Sequence, residues 1–302
     1  MKSIELNKLT WVMAEQPKAE DISFLQDKFD LHPLIIGKLT LPVYRPQFSD
    51  HKKYFFAVIH YPVFGEDGSF KEIGEVDILV NEKFVVTATS HPDSPVALFF
   101  DKCHSNLESC KKYFNNGSHY LLLIIINNFL SNYFPFLDDL AKEIDKIEEH
   151  LFKEEEGKTL KSISLLQRDI IEFRRIIKPQ ISILRSIFAV KEIANDDYLK
   201  TYAHDIIATN IQIWNTLENY WETINALHRT NNTLLSYKLN RAINVLTAFS
   251  IIFIPANLVA FIFGMNVDMP PVFRDTKIVF LVMIGAMSVT SLLLLYLVKR
   301  KN

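Results

Sequence analysis

From Ala242 to Val267 the sequence reads AINVLTAFSIIFIPANLVAFIFGMNV, 26 residues without a charged side chain. A helix of about 20 apolar residues crosses a bilayer core, so this run predicts a membrane span. A second uncharged run, Ile278 to Val298 (IVFLVMIGAMSVTSLLLLYLV), is long enough to return. A third run, His119 to Leu137, reads instead as a core-facing helix. Its strong part, Tyr120 to Ile126, is only seven residues, and Asn127, Asn128, Ser131 and Asn132 follow before charged sequence resumes.

The rest of the chain is unlike these two runs. Of the 68 charged residues in 302, seven lie from Ala242 onward, where the net charge is +3; the first 241 residues carry 28 basic and 33 acidic residues, net −5. A mean hydropathy of +0.09 therefore averages a soluble part and a membrane part. The apolar content, 49%, excludes a disordered chain, and eight glycines exclude a collagen-like one. Lys238 and Arg241 precede the first span, and Lys299, Arg300 and Lys301 follow the second. The positive-inside rule then places both termini in the cytosol and the short loop outside, in a cell (inner or plasma) membrane. The N-terminus lacks the apolar core of a signal peptide. Cys103 and Cys110, seven apart on an assumed single helix, lie about 10 Å apart along one face, too far for a disulfide, and are expected as buried free thiols in a reducing compartment.

The soluble part reads as α+β. Residues 1–92 form an N-terminal α/β domain. Thr10–Glu15, Tyr54–Phe64, Ile73–Val80 and Phe84–Thr89 are its strand candidates, and Ala19–Phe29 and Pro33–Leu39 its helix candidates. Residues 93–195 form a helical region with candidate helices Val96–Phe114, Tyr120–Glu155 and Thr159–Val190, the last kinked or broken at Pro179. From Asp196 neither Gly nor Pro occurs until Pro255, and Ile206, Ile213, Tyr220, Leu227 and Leu234 recur at heptad spacing, interleaved with Leu217 and Ile224. One stalk helix over 196–264, about 100 Å long, is predicted to include the first span at 242–264. A helix of that length needs a partner along its seam, and other copies of itself are the simplest. A loop at 265–277, the second span at 278–298 and a basic tail at 299–302 complete the order.

Asn240, Asn244, Thr247, Ser250, Asn257 and Gly264 are spaced by 4, 3, 3, 7 and 7 and so share one side of the first span. Two readings stay open on spacing alone: helix packing through small polar residues, or the wall of a water-filled pore. Two spans cannot enclose a pore, so the second reading demands an oligomer. No charge lies inside either span, which argues against a carboxylate proton relay. A divalent cation would be driven by potential, roughly 4.6 kcal/mol per 100 mV.

Directly after the span comes Phe263-Gly264-Met265-Asn266, then the short outer loop. Gly-Met-Asn ending the first of two C-terminal spans resembles the signature of the CorA family of divalent-cation transporters. Leu31-His32-Pro33-Leu34, Tyr44-Arg45-Pro46, the aromatic strand Tyr54–Pro62, Asn240, Val245-Leu246-Thr247, Ile254-Pro255 and the basic tail are similar to the family pattern along most of the chain.

The resemblance implies a homopentamer that is no enzyme, whose first span lines the pore and whose second faces lipid. Gly264, Met265 and Asn266 would form the selectivity filter, with Asn266 as a ring at the outer mouth. Neutral amide and carbonyl oxygens suit magnesium, a small hard ion that gives up water reluctantly, and Gly264 would let the backbone approach it. Asn240 and Asn257 would be inner polar rings, and Ile243, Leu246 and Ile254 hydrophobic constrictions that gate by dewetting. The bland reading of those three is span-against-span packing. The family's sensing of cytosolic magnesium implies acidic residues between subunits: Asp205 on the stalk helix, with Asp93 in the loop after the last strand as its candidate partner. Partners are then copies of the chain, the bilayer and divalent cations, with no nucleic acid. No cofactor is expected; Mg2+ is both cargo and regulator, with Co2+, Ni2+ or Zn2+ as alternatives.

The outer loop reads Met269-Pro270-Pro271 where family members often carry Met-Pro-Glu, leaving Asp268 as the nearest carboxylate at the mouth. Weaker attraction of cations follows, and the zinc-transporting branch of similar architecture stays open. The nine histidines are scattered, with no zinc-ligand spacing. Gly157-Lys158-Thr159 lacks the first glycine and preceding strand of a P-loop and reads as a break between helices. The sequons at Asn116 and Asn231 fall on the cytosolic side, and the acidic run Glu143–Glu156 reads most simply as a solvated face, with the collection of cations near the stalk as its alternative. A second class of function, a membrane-anchored structural or signalling protein, needs neither the polar stripe nor Asn266.

Overall fold

The computed structural model describes residues 1–40, 43, 45–65, 70–152, 156–265 and 276–301. Two compact units divide the chain, Met1–His228 and Arg229–Asn302.

The first unit is built on a six-stranded mixed sheet in the order β1-β2-β6-β5-β4-β3. Its strands are β1 (Lys2–Leu6), β2 (Leu9–Glu15), β3 (Gln47–Asp50), β4 (Phe55–Phe64), β5 (Phe70–Val80) and β6 (Phe84–Thr89). Only β2 and β6 pair in parallel, in register from Thr10–Phe84 to Glu15–Thr89; every other neighbour is antiparallel. The β5–β6 turn contains no glycine. Asn81 replaces it by accepting the N–H groups of Lys83 and Phe84 on its side-chain oxygen, at 2.8 and 2.9 Å.

Both sheet faces are covered, which is why β4 reads as a nearly continuous apolar run. Phe56 and Val58 join Val12, Leu79 and Val86 under α1 (Ala19–Phe29) and α2 (Pro33–Thr40), which contribute Ile22, Leu25, Ile35 and Leu39. Phe55, Ala57, Ile59 and Tyr61 face the larger cluster. That cluster is made by α3 (Pro95–Ser105), α4 (Leu107–Asn115), α5 (Ser118–Ser131), α6 (Phe134–Phe152), α7 (Glu156–Phe188), the short α8 (Lys191–Ala194) and the first part of α9 (Asp197–Gly264). The run Tyr120–Ile126 is core: Leu121, Leu122 and Leu123 are fully buried. Close approach decides one position. A Cβ on Gly74 would lie 2.3 Å from the Tyr61 ring across the strand pair, so that ring packs directly on backbone.

Several expectations need correction. Val96–Phe114 is not one helix. Asn106 adopts φ −136 and ψ 76, and its side chain accepts the Ser109 N–H, capping α4 afresh. Cys103 and Cys110 therefore sit on different helices, with Cα atoms 5.4 Å apart, and are joined as a disulfide rather than free. Tyr120–Glu155 is likewise divided. Ser131 and Asn132 turn their side chains back onto the carbonyls of Asn127 and Asn128, at 2.8 and 2.7 Å, and α6 restarts at Phe134-Pro135. Finally, α7 is not broken at Pro179, which lies inside it, and Gly157-Lys158-Thr159 falls in the first turns of that helix rather than between two helices.

The second unit contains the rest of α9 and α10 (Thr276–Lys301). The heptad seam of α9 has its partner inside the chain for its first part: Ile206, Ile213, Leu217 and Ile224 are buried in the large cluster. Gln167–Asn225 at 2.8 Å, Arg174–Glu218 at 2.6 Å and Gln180–Asn210 at 3.1 Å are rungs of an antiparallel α7–α9 pair. A partner in another copy is not needed for that stretch.

Candidate ion pathway and regulatory carboxylates

The second part of α9 has the opposite character. Asn240, Asn244, Thr247 and Asn257 are exposed, and Ser250 is half-buried. Ile243, Leu246 and Ile254 are exposed as well, Leu246 by 67%. At 100° per residue these eight positions and Gly264 fall within an arc of about 160°. The arc is not wholly polar: Leu258 and Phe261, also exposed, lie within it. Seven-residue steps lag a straight helix by about 20° each, so a straight polar lining requires a slight left-handed supercoil.

Local chemistry differs along the stripe. The Ser250 hydroxyl donates to the Leu246 carbonyl at 3.0 Å and so has one partner in its own helix. Pro255 sits inside α9 and cannot donate to the carbonyl one turn back. Gly264 is the last residue of α9, and a Cβ there would meet nothing within 4 Å in a single chain. Met265 is exposed. Asn266 and Asp268, the remaining outer-mouth residues singled out by sequence, lie outside the described residues, as does Met269-Pro270-Pro271. The tail residues Lys299, Arg300 and Lys301 are helical backbone at the end of α10.

The two regulatory candidates lie in the first unit. Asp93 is exposed in the turn between β6 and α3, next to Ser94, whose hydroxyl caps α3 by accepting the Ala97 N–H at 3.2 Å. Asp205 is exposed on α9, and its backbone carbonyl accepts the Thr209 hydroxyl at 3.0 Å. Among the described residues of one chain, no three His, Cys, Asp or Glu side chains converge as a metal-holding group. Within one chain, then, neither carboxylate has a ligand set.

What sequence reading missed is the company Asp205 keeps. Tyr198, Tyr202 and Asp205 follow one another at i, i+4 and i+7, a spacing that was visible. Tyr198 and Tyr202 pack on Tyr120 of α5, with ring centroids 5.8 and 5.4 Å away. Burial, then the hydroxyls of Tyr202 and Tyr198, pushes the Tyr120 phenol up; the hydrogen bond from Tyr120 pulls Tyr202 down, opposed in part by the Asp205 charge. Further along the pair, the Arg174 guanidinium lies 5.3 Å from both the Trp214 and the Trp221 ring while it holds Glu218.

The sequence pattern described as CorA-like Mg2+ transporter protein matches residues 7–300. The chain belongs to that family. CorA members are membrane transporters of metal ions and not enzymes. The cobalt/magnesium transport protein CorA of Thermotoga maritima is 24% identical over 280 residues, 91% of this chain and 77% of that protein. The complete structure of the CorA magnesium transporter from Methanocaldococcus jannaschii superposes with a TM-score of 0.81 at 18% identity, covering 100% of this chain and 94% of that one. The ZntB cytoplasmic domain from Vibrio parahaemolyticus superposes with a TM-score of 0.63 at 14% identity, covering 77% of this chain and 90% of that domain. At such identities the structural likeness speaks to the fold: a mixed sheet with helices, continued by a long helix.

Proposed function

We propose that this CorA member is a magnesium influx channel driven by membrane potential, closed by cytosolic magnesium and built as a homopentamer. The observation that carries the reading is the position of Gly264-Met265-Asn266, at the end of a helix of 68 residues whose polar positions and apolar constrictions share one arc. In the pentamer five such arcs face a common axis. Asn266 rings the outer mouth and binds the hydration shell of the ion. Asn257, Ser250, Thr247, Asn244 and Asn240 continue the wall, and Ile243, Leu246 and Ile254 close it by dewetting. Residues 278–298 face lipid, both termini are cytosolic, residues 265–277 form the outer loop, and Asp268 is the carboxylate nearest the mouth.

Regulation belongs to the soluble part, through Asp205 on the stalk helix and Asp93 at the start of the helical region 93–195, on facing surfaces of neighbouring subunits. Each carboxylate lacks a ligand set among the described residues of one chain, and a neighbouring subunit supplies the further ligands of a shared ion. The experiment is uptake into liposomes loaded with a magnesium-sensitive dye under an inside-negative potential. Wild type admits Mg2+, Asn266→Ala loses more than tenfold of the rate, and Asp205→Ala keeps conducting at millimolar internal Mg2+ where wild type closes. No entry of Mg2+ into wild-type vesicles, with entry of Zn2+, Co2+ or Ni2+ instead, transfers the reading to that ion; no entry of any ion leaves a membrane-anchored structural or signalling protein.

A further inference from the structure

Residues i and i+2 of a strand lie on one face. On β5 this sets the carboxyl groups of Glu75 and Asp77 side by side, on the sheet face covered by α1 and α2. Asp77 is buried, with 7% of its surface exposed, and each carboxyl lies within hydrogen-bonding reach of the other. Ionised carboxylates only accept hydrogen bonds. Two of them can bond each other only with a proton between.

Among the described residues no cation takes that proton's place. Glu75 Oε2 accepts the Val43 N–H at 2.7 Å. His60, opposite Glu75 in the β4–β5 register, directs Nε2 at the Val43 carbonyl, also at 2.7 Å. A carbonyl only accepts, so Nε2 carries the hydrogen; burial holds the ring below the ordinary histidine range, which favours the neutral form. The Lys38 ammonium on α2 reaches Asp77 with its field, but its hydrogen bond goes to Gln47 Oε1 at 2.9 Å and it lies 5.4 Å from the Phe56 ring. On β6 the residue opposite Asp77 is Ala88. Asp77 Oδ1 has no hydrogen-bond partner among the described residues. Burial, and then the Glu75 charge, pushes the Asp77 carboxyl well above the ordinary carboxylate range, and burial pushes Glu75 up as well.

We propose that Glu75 and Asp77 form a proton-binding site in which one shared proton removes the repulsion between two carboxylates on the covered face of β5, and that loss of this proton as pH rises destabilises the first unit. The sign follows from linkage. The folded protein holds a proton that the unfolded chain gives up at an ordinary carboxylate value. The stabilisation is therefore complete below that value and fades as pH climbs through the raised one. With the proton gone, two adjacent negative charges remain in a buried site and repel.

The test uses the full chain in detergent or nanodiscs, from about pH 5 to about pH 9, which brackets the range between ordinary carboxylates and amines. Infrared difference spectra of wild type minus Asp77→Asn isolate the C=O stretch of a protonated, buried carboxylic acid. The expected band is present at the acid end and fades as pH rises. Glu75→Gln keeps the band and moves its fading to lower pH, because the neighbouring charge is gone. Melting temperature falls with rising pH over the same interval in wild type and stays flat in Asp77→Asn. The absence of any Asp77-dependent band across the interval overturns the proposal. So does a band that added Mg2+ abolishes at constant pH, which would assign the site to a cation. If Asp77→Asn does not fold, Glu75→Gln decides: a band that does not move with this substitution excludes a shared proton.

Discussion

Leu217 and Leu246 stand on the same uninterrupted helix, 29 residues apart, in environments that could hardly differ more. Leu217 is fully buried among the side chains of its own chain, whereas Leu246 is 67% exposed. Before His228 the seam of α9 is closed by α7, with polar rungs from Gln180, Arg174 and Gln167 on its flank. Beyond Arg229 most of the large apolar side chains described from Leu239 through Ile262 are exposed, Leu239, Leu246, Ile254 and Phe261 by more than 60%. Such a continuous apolar surface exceeds what water tolerates on a soluble monomer. The first half of α9 is thus folded by the chain itself, while the second half is built for a surrounding that its own chain does not supply; in the proposed channel, lipid and neighbouring subunits supply it. One period of apolar residues serves both, so the period alone does not say which solvent a segment is built for; the charges between the apolar residues do.

The largest expected effect sets the same substitution in the two halves. Leu217→Ala lowers unfolding free energy by about 2–5 kcal/mol, the cost of a buried leucine and its cavity. Leu246→Ala stays within about 0.5 kcal/mol, as at exposed sites. Guanidinium unfolding in micelles followed by tryptophan fluorescence checks this, since Trp11, Trp214 and Trp221 all report the first unit. Equal losses at the two positions would break the comparison. The same Leu246→Ala protein raises basal ion flux if that leucine is a constriction, which separates gate from packing. A smaller effect is expected at the α7–α9 seam. Arg174→Met keeps the length of the side chain but removes the bond to Glu218 and the stacking on two indoles, for about 1–3 kcal/mol by circular dichroism melts. A null result there would mean that apolar packing alone closes the seam.

Much of this was legible in the sequence. The span, the long helix and the four longer strands follow from uncharged runs, from the absence of Gly and Pro between Asp196 and Pro255, and from β-branched alternation. Sequence reading failed where single asparagines decide. Asn106 starts a new helix by accepting the Ser109 N–H and Asn132 closes one by donating to the Asn128 carbonyl, and asparagine in a helical pattern carries only a weak stop signal. The cysteine pair was misjudged for the same reason, since its spacing was measured along a helix that Asn106 interrupts. Edge strands β1 and β3 escaped because they are short and owe their form to the ladder beside them. The Glu75–Asp77 pair was visible as a spacing, but its meaning depends on burial, which alternation suggests and composition does not.

The one parallel pairing in the sheet has a consequence for synthesis. The β1–β2 hairpin is joined to the remaining strands through β6 alone, and the Trp11 indole finds its hydrogen-bond acceptor in Thr87, 76 residues later. At about 5–20 residues per second, a ribosome delivers that partner about 4–15 s after the hairpin. Throughout that interval Trp11 and Met13 have neither β6 beside them nor the α3 phenylalanines against which Trp11 later packs. Every copy of this protein begins life with an apolar strand edge waiting for the middle of its own message to be read.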